Sequence, residues 1–273
     1  MEFHICLFPC NSSNCVFLHP FSQYYNSSYS TVRWVKDMRE NASNKQLFLQ
    51  NKLSLSMIYN DETLNIFSDA SFIPGLTTDK HHITGLGKGC YCVIAVCGDD
   101  IIEKECIISS NSTVNTSELK GIRKALSIAN KYKNQYSRIN IFSDSLYSIN
   151  LVKKNVIHPC GRIDLVLANR SILLQIYHIY CELAQYQHCL ITLYHNSGHM
   201  NCKNLDDMVT MAKKFQKHNN LEDKVDLNLV RYVARYNSLV DNNSREYLIR
   251  HQDKDCEDPV EFIIPRKKEN KNV

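Results

Sequence analysis

The sequence predicts an α/β chain built on a mixed β-sheet flanked by helices, and three observations carry that expectation. Residues Leu64 to Phe72 read LNIFSDASF, in which Leu64, Ile66 and Ser68 alternate with Asn65, Phe67 and Asp69 at the period of a β-strand. A near repeat, INIFSDS, runs from Ile139 to Ser145 and places Asp144 in the same context. Between them lie two further β-rich runs and an amphipathic helix, so the second aspartate strand follows a strand and a helix and pairs in parallel with an earlier strand.

Two similar strands can each deliver one aspartate to the same edge of a sheet. Left alone, two such carboxylates repel and at least one holds its proton, whereas a divalent cation between them removes the penalty. Either aspartate by itself also suits a turn at a strand end. The repeated pair points to a metal site.

At 273 residues the chain is long enough for one full domain with additions. Hydrophobic residues make up 44% and charged residues 22%, values that argue against global disorder. The net charge of +4 is mild and permits a polyanionic partner without demanding one. The 12 cysteines include no repeated Cys-x-x-Cys pairs, and Cys90, Cys92 and Cys97 sit inside apolar runs as small core residues do. Free thiols of this kind predict a reducing, intracellular setting, cytoplasmic or beside the genome. No apolar stretch reaches membrane-spanning length and no leader-like segment opens the chain, so membrane insertion and secretion are not expected.

Residues 1–60 read as an N-terminal extension of unknown role. His4, Cys6, Cys10, Cys15 and His19 fall within a short span, but their spacings match no standard zinc finger, and buried thiols in a β-rich segment explain them more simply. Trp34 lies among tyrosines beside Arg33, a pattern that suits either base stacking or packing on the main domain. The main domain is expected over 61–220. After the first strand, Pro74 to Gly89 reads as a hairpin loop, followed by strands over Cys90–Cys97 and Ile101–Ile108 that form an antiparallel meander. From Asn115 the period becomes helical, with Leu119, Ile122, Leu126 and Ala129 on one face and Lys120, Arg123 and Lys124 elsewhere, as on a solvated face. Asn115 at the N-cap with Glu118 three residues on would make a capping box, a purely structural use of Glu118. Further helices are expected at Leu146–Lys153, at about Asp164–Tyr186 and around Met208–Phe215, with a strand at Cys189–Tyr194. Over 221–273, Leu229, Val233, Tyr236 and Val240 mark a C-terminal helix capped by Asp226, and PRKKENKNV ends the chain as a basic tail.

Four of these pieces, in this order, resemble the type 1 ribonuclease H family over about Leu64 to His218. They are FSDAS, VNTSELKGIRKAL, IFSDSLYSI and SGHMNCKNLDDMV. The resemblance implies a ribonuclease H-like fold, a five-stranded mixed sheet flanked by helices, here with N- and C-terminal extensions. It implies catalytic, metal-holding carboxylates at Asp69, Glu118, Asp144 and Asp206, with Asp207 as the alternative to Asp206. It places substrate contacts at Asn115, Ser71 and Asn196. The family's loop histidine, used in proton transfer or product release, falls on Asn196, and a loop shifted by one residue would bring His195 into that role. No Lys- and Trp-rich insertion of the kind some members use to grip hybrids follows the fourth strand.

The implied activity is hydrolysis of the RNA strand of RNA–DNA hybrids, an endonuclease reaction with two Mg²⁺ ions, for which Mn²⁺ is an acceptable substitute. The residue chemistry agrees, because Mg²⁺ takes oxygen ligands and two such ions stabilise both the attacking and the leaving oxygen of a phosphodiester. The partner is then the hybrid itself, recognised by shape and 2′-hydroxyls. Two alternatives remain: a catalytically weak nucleic-acid-binding protein of the same fold, and a DNA nuclease of the same superfamily.

Overall fold

The computed structural model describes residues 4–6, 15–17, 52–74, 87–157, 169–184, 188–198 and 204–251. Trp34, Cys10, His19, the loop 75–86, His199 and the basic tail lie outside them. Near the start, β1 (His4–Cys6) and β2 (Cys15–Phe17) form a short parallel pair.

A short helix, α1 (Leu55–Ile58), leads into β3 (Thr63–Pro74), which is followed by β4 (Gly87–Cys97), β5 (Asp100–Ser112), α2 (Val114–Tyr132) and β6 (Arg138–Ser143). Then come α3 (Leu146–Val152), which continues as a wider π-turn through Ile157, α4 (Arg170–Ala184), β7 (Leu190–His195), α5 (Leu205–Asn219) and α6 (Leu227–Arg250). The main sheet has the order β5-β4-β3-β6-β7, with β3 antiparallel to β4, β4 antiparallel to β5, and β6 and β7 added in parallel. This is the five-stranded mixed sheet of a ribonuclease H-like fold.

Alternation along β3 sorts its side chains between two cores. Leu64 and Ile66 join Leu119, Ile122 and Leu126 of α2 and the apolar face of α4. Phe67 points the other way, into a core shared with Phe142, Tyr194, Phe215 and the α6 residues Leu229, Val233, Tyr236 and Val240. Both faces of the sheet are therefore covered. The stripe predicted for the C-terminal helix is its packing face, and Leu53 and Ile58, from before residue 61, enter the same core.

An aromatic row crosses this second core. The strand register sets Phe67 beside Phe142 and Phe142 beside Tyr194. Their rings stack at centroid distances of 4.8 and 5.4 Å, and Tyr236 of α6 lies 5.2 Å from Phe67. Two residues back in the register, Asn140 donates its amide to Asn65 at 2.9 Å, and Asn65 donates to the Ile58 carbonyl at 3.0 Å, so these buried amides are tied to one another and to α1. Cys90, Cys92, Cys97, Cys106, Cys181 and Cys189 form no disulfide, and none of the helices among the described residues is long and apolar enough to cross a membrane.

Phe67 has no exposed surface and packs on rings from β6 and α6. Phe67→Ala is expected to cost about 3–5 kcal/mol, from lost transfer energy and the cavity left behind. Urea unfolding checks this through a lowered midpoint with an unchanged slope.

Candidate metal centre

The register of β3 against β6 builds the site. The last parallel pair is Ser68 with Ser143, so the next residue of each strand, Asp69 and Asp144, emerges at the same edge. There β6 ends, while β3 continues against β4 to Pro74. Asp69 is therefore inside its strand rather than at the end that its sequence suggested. A third carboxylate comes from α2. Gly121 allows this helix to lie close on β3, because a Cβ there would collide with the Ser68 hydroxyl.

The Asp69, Glu118 and Asp144 carboxylates converge with ligand oxygens all within 4.8 Å of one another. Asp69 is 5% exposed and Glu118 8%. Burial, first, and then the Asp144 charge raise the Asp69 pKa to about 8; Glu118 is likewise raised well above its ordinary value by burial and by both aspartates. The Ala70 amide, donating to Asp69 at 2.7 Å, opposes the shift only in part. One Glu118 oxygen, Oε2, is buried with no hydrogen-bond partner. A buried carboxylate oxygen without a donor, beside two more carboxylates, fits a hard divalent cation: oxygen ligands only, negative charge to offset, and an acceptor left vacant by the protein. Gly198, past the end of β7, comes so near Asp144 that a Cβ there would lie 2.7 Å from its Oδ2, which explains the glycine of the SGHM segment.

Around the carboxylates lies a cleft of about 460 Å³, lined by β3 from Asp69 to Ile73 and on the far side by Asp241, Arg245, Leu248 and Ile249 of α6. Sequence reasoning missed these α6 residues. The helical stripe was visible, but Asp241 and Arg245 lie off it, and nothing local says that a helix so far along the chain returns to the sheet edge. Ser71 and Ser244 share a hydrogen bond of 2.8 Å that pins α6 to β3 two residues beyond Asp69.

The other predicted residues are dispersed. Asp206 is exposed in the first turn of α5 and is not a member of the carboxylate group; Asn204 caps α5, its side-chain oxygen accepting the Asp207 amide at 2.8 Å. Asn115 is exposed in the first turn of α2, and the N-cap is Thr113, whose hydroxyl accepts from the Thr116 amide at 3.1 Å. The capping box expected of Asn115 and Glu118 is thus replaced by a threonine cap, and Glu118 is turned to the two aspartates. Asn196 is fully buried and donates its amide to Asn237 of α6, away from the cleft. His195 ends β7 and is 6% exposed. Its Nε2 lies 3.1 Å from the Asp144 carbonyl and its Nδ1 2.9 Å from Nδ1 of His218. Burial and the neighbouring His218 push its pKa down to about 4, so it is neutral at physiological pH, and both ring nitrogens are engaged by the protein. On α2, Lys120 is buried and donates to Ser109 at 2.7 Å, and Lys124 pairs with Glu105, in place of the solvated face expected.

A scan of the sequence against known protein families finds no match, and a comparison with curated proteins finds none either. Several solved structures align with part of this chain. The native prototype foamy virus protease-reverse transcriptase aligns at 15% identity and a TM-score of 0.42, over 64% of this chain and 22% of that one. Ribonuclease H1 of the halophilic archaeon Halobacterium salinarum aligns at 18% identity and 0.32, over 49% and 86% of the two chains. The ribonuclease H1 called LC11, solved in complex with an RNA/DNA hybrid, aligns at 12% identity and 0.36, over 52% and 91%. The chain thus spans about a fifth of the foamy virus protein. These likenesses are distant, and the chemistry of the centre rests on its own residues.

Between pH 6.5 and 8 the folded protein without divalent ions keeps the Asp69 proton that the unfolded chain has lost. Folding then binds protons, and stability is expected to fall as pH rises through this window. Thermal melts of EDTA-treated protein at pH 6.5 and 8 measure the drop. Asp69→Asn should shrink it, and added Mg²⁺ should raise the melting temperature most at pH 8.

Proposed function

We propose that the protein is an endonuclease that hydrolyses the RNA strand of RNA–DNA hybrids with two divalent cations, Mg²⁺ in the first place. The observation that carries this reading is the convergence of Asp69, Glu118 and Asp144 from three separate elements, with Glu118 Oε2 buried and unpartnered. The four sequence segments in ribonuclease H order support it, since three of them supply these three carboxylates.

In this reading Asp69 would serve both cations, with Glu118 and Asp144 completing one site. The fourth acid is Asp241 in preference to Asp206, because Asp241 lines the cleft and its charge acts on both Asp69 and Glu118. Bound there, the cations would stabilise charge on the attacking water and on the leaving 3′ oxygen. The chain's part is to hold the carboxylates in place before substrate arrives, so that little reorganisation is left to the reaction. His195 contributes by donating Nε2–H to the Asp144 carbonyl, with His218 donating in turn to its Nδ1, which fixes the strand end that carries Asp144. That role replaces proton transfer, for which no ring nitrogen of His195 remains. The same engagement of His195 favours a second reading, in which the fold binds nucleic acid and cuts slowly.

A labelled RNA–DNA hybrid incubated with Mg²⁺, with and without EDTA, and beside double-stranded DNA and double-stranded RNA of the same sequence, tests the proposal. Metal-dependent cutting of RNA in the hybrid alone is the expected result; binding without cutting hands the protein to the second reading, and cutting of duplex DNA to a DNA nuclease. Asp144→Asn should lower the rate about a thousandfold or more, the loss of several kcal/mol of charge stabilisation. Asp241→Asn should lower it clearly and Asp206→Asn leave it within about threefold. The reverse order for the last two would return the fourth position to Asp206.

A further inference from the structure

The cleft has one cation in its wall among the described residues, and the nuclease reading gives that cation no task. Arg245 stands on α6 one turn after Asp241, with its guanidinium Nη2 3.1 and 3.2 Å from the two Asp241 oxygens. A single nitrogen serves both oxygens, so the planar fork is not used side by side as it is in a two-pronged carboxylate pair. The Arg245 side chain is 55% exposed, and the pair is an (i, i+4) contact on a helix surface. Such contacts are weak and exchange readily for a better acceptor.

The surroundings hold Arg245 in place without using it up. Ser244 is bonded to Ser71 on β3, and Leu248 packs on Cys90 and Ile108. The helix that presents Arg245 is therefore fixed at the cleft's edge, while the guanidinium remains at the solvent boundary, its charge reaching Asp69.

We infer that Arg245 holds a non-bridging oxygen of a substrate backbone phosphodiester at the cleft, and so serves as a binding residue for the hybrid. The inference rests on the nuclease reading. Charge supports it: four carboxylates line the cleft, from Asp69, Glu118, Asp144 and Asp241, against one arginine. Two divalent cations would balance the four acids, which leaves the arginine's charge unopposed and equal to that of one phosphodiester. Arginine suits the task better than lysine, because its fork matches phosphate geometry and its charge does not titrate. The fold also leaves the task open, since Lys120 and Lys124 of α2 are committed to Ser109 and Glu105, and Arg123 donates to Gln175 and Tyr91.

Binding of a fluorescent RNA–DNA hybrid to the full chain, followed by anisotropy in Ca²⁺ over a range of salt concentrations, tests this apart from turnover. Arg245→Ala is expected to weaken binding about tenfold at low salt and to reduce the slope of log affinity against log salt by about one, the signature of one lost phosphate contact. Arg245→Lys should keep the slope and recover part of the affinity. Arg231→Ala, an exposed cation of the same helix that does not line the cleft, should leave the slope unchanged. Circular dichroism melts of Arg245→Ala should match the wild type, which separates lost binding from lost folding. An unchanged slope in Arg245→Ala, with a wild type that binds and cuts, overturns the assignment of Arg245 alone. A wild type that neither binds nor cuts the hybrid overturns both this inference and the nuclease reading.

Discussion

The parallel pairing of β3 with β6 is the constraint from which the site follows. Once Phe67 is set beside Phe142 and Ser68 beside Ser143, Asp69 and Asp144 reach the same edge together. The arrangement opposes folding in the absence of a cation, since burial and mutual repulsion both act against ionisation. It persists because the same register stacks two aromatic rings immediately behind the carboxylates. Apolar packing two residues back sustains a charge cluster that electrostatics alone would disperse, and stability lost at the carboxylates is recovered in the core beside them.

The second consequence of that register is the place of α6. A sheet with Phe67, Phe142 and Tyr194 on one face needs a cover, and α5 and α6 provide it through Phe215, Val233, Tyr236 and Val240. To bury Tyr236 against Phe67, α6 must run toward the carboxylate edge, and its next turns then meet Ser71 and the cleft. The helix is thus both half of a core and a wall of the site. A substitution in its apolar stripe would disturb Asp241 and Arg245 without touching either.

How much of this the sequence shows differs from element to element. Period-2 alternation and the repeated FSD made both aspartate strands and their parallel relation readable, because register is a local property multiplied along a strand. Glu118 was readable through the resemblance, although its position in the helix suited a cap equally well; only the structure shows Thr113 capping and Glu118 buried. His195 reads as loop because it directly follows the run Cys189–Tyr194, whereas β7 runs on through it and α5 supplies His218 from 23 positions away. Asp241 was beyond reach for the same reason: its place in the cleft depends on contacts between residues far apart in sequence, and helical periodicity reports only which face is apolar.

Lys120, Arg123 and Lys124 show why a cation count is a poor guide to binding. On the helical wheel they form a basic face open to a polyanion. In the fold, α2 lies against β4, β5 and α4, and each of the three is bonded to a residue there: Ser109, Tyr91 and Gln175, and Glu105. Their positive charge is compensated or buried before any ligand arrives, and a net charge of +4 says nothing about the potential at the cleft. There the acids predominate. A cleft of this charge disfavours a phosphodiester until cations offset it, so in the proposed reaction affinity for the hybrid and occupancy of the metal centre are a single linked equilibrium.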